Sequence, residues 1–152
     1  MDTAQFQLHA AIEERHWWFT ARRTILGRLI GHLQDNNQLR AAERADDKPL
    51  LIDVGCGTGA NLAAFAKSFR CLGVDTSPEA INLAKQRYPE LEFMHGYAPD
   101  DLIDQIRGAS VVTLNDVLEH VRDDFLLFSR IFAELSPGAM CVITVPADPA
   151  LW

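Results

Sequence analysis

Residues 50–60 read LLIDVGCGTGA, a short apolar run that breaks into glycines at 55, 57 and 59. Leu50 to Val54 is long enough for a buried strand and too short for a helix. Asn61 to Phe69 is predicted to be helical, so the glycines form a strand-to-helix turn. The rhythm then repeats. Cys71 to Asp75 is predicted as a second strand, and Ser77-Pro78 opens a helix with serine as N-cap and proline at the first helical position. Ile81, Ala84 and Tyr88 give that helix its inner stripe. Leu91 to Met94 and Val111 to Asn115 read as the third and fourth strands. Phe125, Phe128, Ile131, Phe132 and Leu135 are assigned to the buried face of the longest helix. Ser136-Pro137-Gly138 then turns the chain into a fifth strand, Met140 to Val145. Alternating strands and helices imply right-handed crossovers, so the expected fold is α/β, a doubly wound parallel sheet with helices on both faces.

Upstream, the chain changes character. Ile25, Leu26, Leu29, Ile30 and Leu33 recur at spacings of three and four, with Arg22, Arg23 and Arg28 among and before them, which predicts a helix. His16-Trp17-Trp18-Phe19 precedes it, an aromatic patch suited either to docking this helix on the core or to closing over a ligand. Residues 35–49 are polar, end in Pro49 and read as a linker. The expected division is a helical cap with linker at 1–48 and an α/β domain at 49–152.

The 152 residues fit one ordinary domain, and 48% hydrophobic with 23% charged residues argues for a packed core. A formal net charge of -7 excludes a general phosphate-backbone binder. Cys56, Cys71 and Cys141 form no CxxC pair, so neither a zinc knuckle nor a disulfide framework is indicated, and no metal site is expected. No apolar run approaches a membrane span. Asp2, Glu13 and Glu14 stand where a secretory signal would carry lysine or arginine. Together these point to a cytoplasmic protein.

In an open α/β sheet, ligands bind outside the carboxyl ends of the strands, where the glycine loop lies. Downstream, Asp75 ends the second strand, where a carboxylate can accept hydrogen bonds from both hydroxyls of a ribose. Gly55, Gly57 and Ala60 also parse as GxGxxA, a permitted dinucleotide fingerprint, and the glycines could serve only tight strand-helix packing. Asp53 separates the ligand classes. A carboxylate beside the loop repels a pyrophosphate and suits a ligand that carries an ammonium and a sulfonium.

DVGCGTG at 53–59, the acid at Asp75, NDVLEHVRDD at 115–124 and LSPGAMCVITVPA at 135–147 occur in that order. Over Leu50 to Pro146 the chain thereby resembles the class I S-adenosylmethionine-dependent methyltransferases. The DVLEH segment is similar to the subgroup of type 11 and type 12 methyltransferase domains, which includes quinone-biosynthesis methyltransferases. EERHWWFTARRTIL at 13–26 is similar to the N-terminal cap of a bacterial subset. The resemblance implies S-adenosylmethionine as cofactor, S-adenosylhomocysteine as product, and a small-molecule, lipid or sugar-type methyl acceptor. It assigns the methionine end to the loop of Asp53, Gly55, Cys56, Gly57 and Gly59, and the ribose to Asp75 with Thr76 beside it. Adenine falls to Tyr97 and Ala98, although the family commonly has an aspartate in place of Tyr97, a role Asp100 or Asp101 would have to fill. Asn115, Asp116 and Val117 would line the floor under the methyl, and Arg22 or Arg23 would meet the cofactor carboxylate.

A hydroxyl acceptor would need a general base, and His120 or Asp116 is the candidate. Glu119 and His120 can equally be read as the start of a helix. Cys56 reads as a packing residue rather than a nucleophile, while Asp100, Asp101 and Asp104 read as a solvated helix start. Family members continue past the fifth strand with two more, so this sequence, ending at Pro149-Ala150-Leu151-Trp152, is expected to be an N-terminal fragment. Its fifth strand would then be an open apolar edge, suited to pairing with a second copy. Two other functions stay open: an NAD-type oxidoreductase module, and a non-catalytic cofactor-binding module.

Overall fold

The computed structural model describes residues 3–42 and 47–148. Its centre is a parallel sheet in the order β3-β2-β1-β4-β5, formed by β1 (Leu50–Val54), β2 (Arg70–Asp75), β3 (Glu92–His95), β4 (Val111–Asn115) and β5 (Met140–Thr144). The chain starts in the middle, steps outward to β3, then crosses back to β4. That reversal puts a switch point between β1 and β4, where the two following connections lead to opposite faces of the sheet, the place at which open α/β sheets have their ligand-binding crevice.

Side chains alternate across the sheet as the pleat demands. Leu51, Cys71, Phe93 and Val111 face one side and pack with Leu62, Phe65 and Ile81. Leu50, Ile52, Val54, Val74 and Val112 face the other and pack with Leu102, Ile106 and Ile131. Helices α2 (Trp17–Asp35), α3 (Ala60–Phe65) and α4 (Pro78–Arg87) supply the first layer; α5 (Ile103–Gly108) and α6 (Asp124–Glu134) supply the second. A further helix, α1 (Thr3–Ile12), precedes α2. Leu26 and Ile30 of α2 belong to the same cluster as Leu51 and Leu62, so the N-terminal helix shares the core of the sheet.

Three expectations are corrected here. The longest helix is α2, with 19 residues, not α6, with 11. On α6 the inner line is Leu127, Ile131 and Leu135, whereas Phe125 and Phe132 are 77% and 61% exposed. An 11-residue helix with two apolar stripes can turn only one to the sheet, and the i, i+4 aliphatic line fits it. On α2 likewise Leu26 and Ile30 point inward and Ile25 and Leu29 outward. Helix α3 stops at Phe65 rather than 69, because Phe65 O accepts from both Ser68 N and Phe69 N and tightens the last turn. The start of α4 is as read: Ser77 Oγ accepts from Ala80 N at 3.3 Å with Pro78 next in sequence.

The polar linker is tied down where it is described. Arg40 N donates to Gly138 O at 2.7 Å, and Arg40 Nη1 to Gly108 O at 2.7 Å. Residues 43–46 of the linker, and Pro149 to Trp152, lie outside the described residues. β5 is the last strand of the sheet among the described residues, with only Val142 buried.

Candidate functional site

The first lip of the crevice is the loop after β1. Gly55, Gly57 and Gly59 all have positive φ, at +73°, +53° and +89°, a conformation that side chains oppose. At Gly55 a Cβ would also lie 2.5 Å from Val117 Cγ2, so glycine there lets the two lips touch. At Gly57 no described atom lies within 4 Å of that position; this face of the loop is open. The loop spends its own donors. Gly55 N and Cys56 N bond to Val74 O at 2.7 and 3.0 Å, Gly57 N to Asp75 Oδ2 at 2.9 Å, and Gly59 N to Cys56 O at 3.0 Å. A diphosphate would find these four N–H groups taken and two carboxylates near.

Asp53 is 1% exposed, in register with Thr113 on β4. Its Oδ1 accepts from Thr113 Oγ1 at 2.6 Å and Asn115 Nδ2 at 3.0 Å, while Oδ2 is buried with no hydrogen-bond partner among the described residues. Burial lifts its pKa from 3.8 to about 6, against the pull of those two hydrogen bonds and of Arg22. Asp75 is held differently. Its Oδ1 accepts from Ser77 N at 2.8 Å and its Oδ2 from Gly57 N, which leaves lone pairs on both oxygens in a half-buried position. Thr76 beside it is exposed, and its carbonyl meets His95 Nε2 at 3.1 Å.

The second lip follows β4. Asn115 is buried, Asp116 has φ +55°, and Val117 lies against Gly55. Asp116 Oδ2 forms an ion pair with Arg22 Nη1 of α2, and its Oδ1 accepts from Thr144 Oγ1 at 3.1 Å. Asp116 is therefore committed to a cation and a hydroxyl, which does not suit a free general base. Arg22 also lies over the Phe19 ring at 5.5 Å, and its Nε is buried with no partner among the described residues. Arg23 does not join the crevice; it donates to Glu13 O at 2.6 Å. His120 ends a 3-10 turn at Leu118–His120 and is exposed, whereas Glu119 Oε2 in the same turn is buried without a partner among the described residues.

At the third edge, Tyr97 is 60% exposed and Ala98 half-buried. Neither aspartate suggested in place of a family acid is free. Asp100 pairs with Arg130 of α6, and Asp101 Oδ2 accepts from Tyr97 N at 2.7 Å. Cys56 turns its thiol into the core beside Leu62, and burial raises its pKa well above the ordinary 9.0. It offers the crevice only backbone. Burial likewise pushes Cys71 to about 12 and Cys141 to about 11, so none of the three is an activated thiol.

Three residues were given no individual role at the site from the sequence: Glu13, Thr58 and Arg87. Thr58 Oγ1 donates to Glu13 Oε1 at 2.5 Å, and Arg87 Nη1 bonds to the same oxygen. No spacing rule joins positions so far apart in the chain. Thr113 had a signal, since a polar residue inside the apolar run Val111 to Leu114 needs a partner. Among the described residues no group of three His, Cys, Asp or Glu side chains could hold a metal ion, and no helix is long and apolar enough to cross a membrane.

A doubly wound parallel sheet with an acid-flanked glycine loop after its first strand makes this a Rossmann-like α/β domain. The methyltransferase domain family matches residues 26–151, and the chain belongs to it. It is 33% identical over 130 residues to a trans-aconitate 2-methyltransferase of Methylobacterium radiotolerans, covering 80% of this chain and 49% of that protein. It is 31% identical over 104 residues to a demethylmenaquinone methyltransferase of Chlorobaculum tepidum, covering 67% and 43%. An amino pentose methyltransferase from Micromonospora echinaspora, solved with S-adenosylmethionine bound, superposes with a TM-score of 0.62 at 21% identity, covering 95% of this chain and 57% of that one. The chain thus spans about half the length of the relatives it matches.

Proposed function

We propose that this chain forms the S-adenosylmethionine-binding part of a methyltransferase that acts on a small-molecule acceptor. One observation carries the reading: an acceptor, Asp53 Oδ2, on the strand that leads into the glycine loop, and a donor, Arg22 Nε, on the side chain paired with Asp116, are both buried with no hydrogen-bond partner among the described residues. Each leaves a costly unmet hydrogen bond that the ammonium and the carboxylate of a methionine moiety would satisfy. Family membership agrees with it. The relatives' acceptors include trans-aconitate and demethylmenaquinone, and for this chain the class is a small organic molecule, a lipid or a sugar.

When bound, S-adenosylmethionine supplies a methyl carbon already activated by a positive sulfur. The residues align it and exclude water. Asp75 takes the ribose hydroxyls, with Thr76 beside it. Tyr97 and Ala98 border the adenine, and Asn115, Asp116 and Val117 form the floor. With Asp116 held by Arg22, His120 is the side chain left to take a proton from a hydroxyl acceptor. The reading extends to a cytoplasmic location, to residues 1–48 acting as a cap on the 49–152 domain, and to a second copy pairing along β5.

Calorimetry with S-adenosylhomocysteine, S-adenosylmethionine and NAD tests it. The two sulfur compounds should bind and NAD should not, and Asp75→Ala should weaken binding about a hundredfold, since charge-assisted hydrogen bonds are lost. Binding of NAD alone would overturn the reading.

A further inference from the structure

We propose that Glu13 and Arg87 are positioning residues for the cofactor loop, which they set by clamping Thr58 at its hydroxyl and its carbonyl. The inference rests on the reading of that loop as the S-adenosylmethionine site.

Thr58 is buried and stands between Gly57 and Gly59, both at positive φ. Glycine on either side makes rotation of the adjoining peptide planes cheap, so the loop's own sequence does not hold Thr58 in place. Side chains from two distant parts of the chain do. Thr58 Oγ1 donates to Glu13 Oε1 at 2.5 Å, and Thr58 O accepts from Arg87 Nη1 at 3.4 Å. Arg87 Nη1 also pairs with Glu13 Oε1, which closes a ring of carboxylate, guanidinium and threonine. The Glu13 and Arg87 side chains are 12% and 18% exposed, so solvent screens them weakly.

The clamp reaches the ligand through one residue. Cys56 N is fixed on Val74 O, and Thr58 is fixed by the clamp; Gly57 bridges the two with its N–H on Asp75 Oδ2. Releasing Thr58 frees Gly57, and with it the hydrogen bond that orients the ribose carboxylate. The segment that carries Glu13 is itself anchored broadly. Glu14 Oε1 accepts from Arg87 Nη2 at 2.9 Å and Tyr88 Oη at 3.2 Å, Arg23 holds Glu13 O, and Arg22 pairs with Asp116 on the opposite lip. Residues 13–23 therefore strap one lip of the crevice to the other.

The test is a double-mutant cycle read as the Kd of S-adenosylhomocysteine, with the melting temperature of each ligand-free variant as control. Glu13→Ala and Thr58→Val should each raise Kd about tenfold, and the double variant no more than the larger single, because both remove one clamp. Thr58→Ser, which keeps the hydroxyl, should stay within about twofold of the unaltered chain. Additive losses, or lower melting temperatures with Kd unchanged, would mean that the contact only docks the N-terminal helices, and would overturn the proposal. If Glu13→Ala does not fold, the Thr58→Val and Thr58→Ser pair decides it: equal affinities overturn the clamp, and unequal ones support it. Failure of the unaltered chain to bind S-adenosylhomocysteine would defeat the reading of the site itself.

Discussion

The loop at residues 55–59 and the loop at residues 115–120 face each other across the carboxyl end of the sheet, but different bonds hold them. The first is held mainly through its main-chain groups: Gly55 N and Cys56 N donate to Val74 O, Gly57 N to Asp75 Oδ2 and Gly59 N to Cys56 O, with Thr58 clamped in addition by Glu13 and Arg87. The second has two main-chain bonds, Asp116 N to Thr144 O at 3.0 Å and His120 N to Val117 O at 2.9 Å, and its side chains add the links to distant elements. Asp116 takes Arg22 from α2 and Thr144 from β5, and Asn115 reaches Asp53. Main-chain bonding demands particular backbone angles and so writes glycines into the sequence. Side-chain bonding demands that distant groups arrive, and it writes no glycine into the sequence even where Asp116 itself takes a φ of +55°.

The largest expected effect falls on the first loop, where backbone angle and close approach coincide. Gly55→Ala places a methyl 2.5 Å from Val117 Cγ2 at φ +73°, and should cost about 3 kcal/mol in urea unfolding, the sum of overpacking and a left-handed penalty. Gly57→Ala meets nothing within 4 Å among the described residues, so only the penalty of about 1–2 kcal/mol remains. Because its methyl would stand in open space on the loop proposed to hold the cofactor, Gly57→Ala should lose cofactor affinity out of proportion to stability. Equal stability losses at the two glycines would show that the lips do not meet at Gly55.

Asp53 joins the two lips, and its titration reports on both. A carboxyl with pKa 3.8 unfolded and about 6 folded binds its proton more tightly in the folded protein. Stability therefore falls as pH rises from about 4 to 6, by about 3 kcal/mol, and is level above that. Asp53→Asn should remove this slope in denaturation measured across that range. A ligand ammonium at Oδ2 favours the charged form, so S-adenosylhomocysteine binding should weaken as pH drops below 6 in the unaltered chain. An affinity independent of pH between 5 and 7 would argue that no cation meets Asp53.

The same contrast explains what could be read in advance. The five strands, the doubly wound parallel sheet and the roles open to Asp53 and Asp75 follow from apolar runs and glycine spacing, which are local signals, whereas the order β3-β2-β1-β4-β5 was seen only in the structure. The faces of α2 and α6 did not follow, since Ile25, Leu26, Leu29 and Ile30 offer two stripes and only the sheet selects Leu26 with Ile30. Arg22 and Arg23 could not be told apart until the helix turned one to Asp116 and the other to Glu13. Nor could Glu13 be paired with Arg87 and Thr58, because that meeting depends on where α1 and α4 pack. Local physics wrote the loop; tertiary packing chose its guards.

The smallest effects should come from trimming the second lip one bond at a time. Thr144→Val keeps the shape of the side chain and removes the 3.1 Å hydrogen bond to Asp116 Oδ1, with a weaker 3.4 Å contact to Asn115 Oδ1. The carboxylate keeps Arg22, so the expected cost is about 1 kcal/mol of stability and under threefold in cofactor Kd. Arg22→Ala removes the cation and should cost about 2 kcal/mol, less than for a fully buried pair because both side chains keep some exposure, 13% and 24%. If Asp116 is shared between the two partners, combining the substitutions should cost more than their sum, because the carboxylate is then left half-buried with neither. Simple additivity in urea unfolding would mean that Arg22 and Thr144 hold Asp116 independently, and that the second lip is a set of separate contacts, unlike the continuous anchoring of the first.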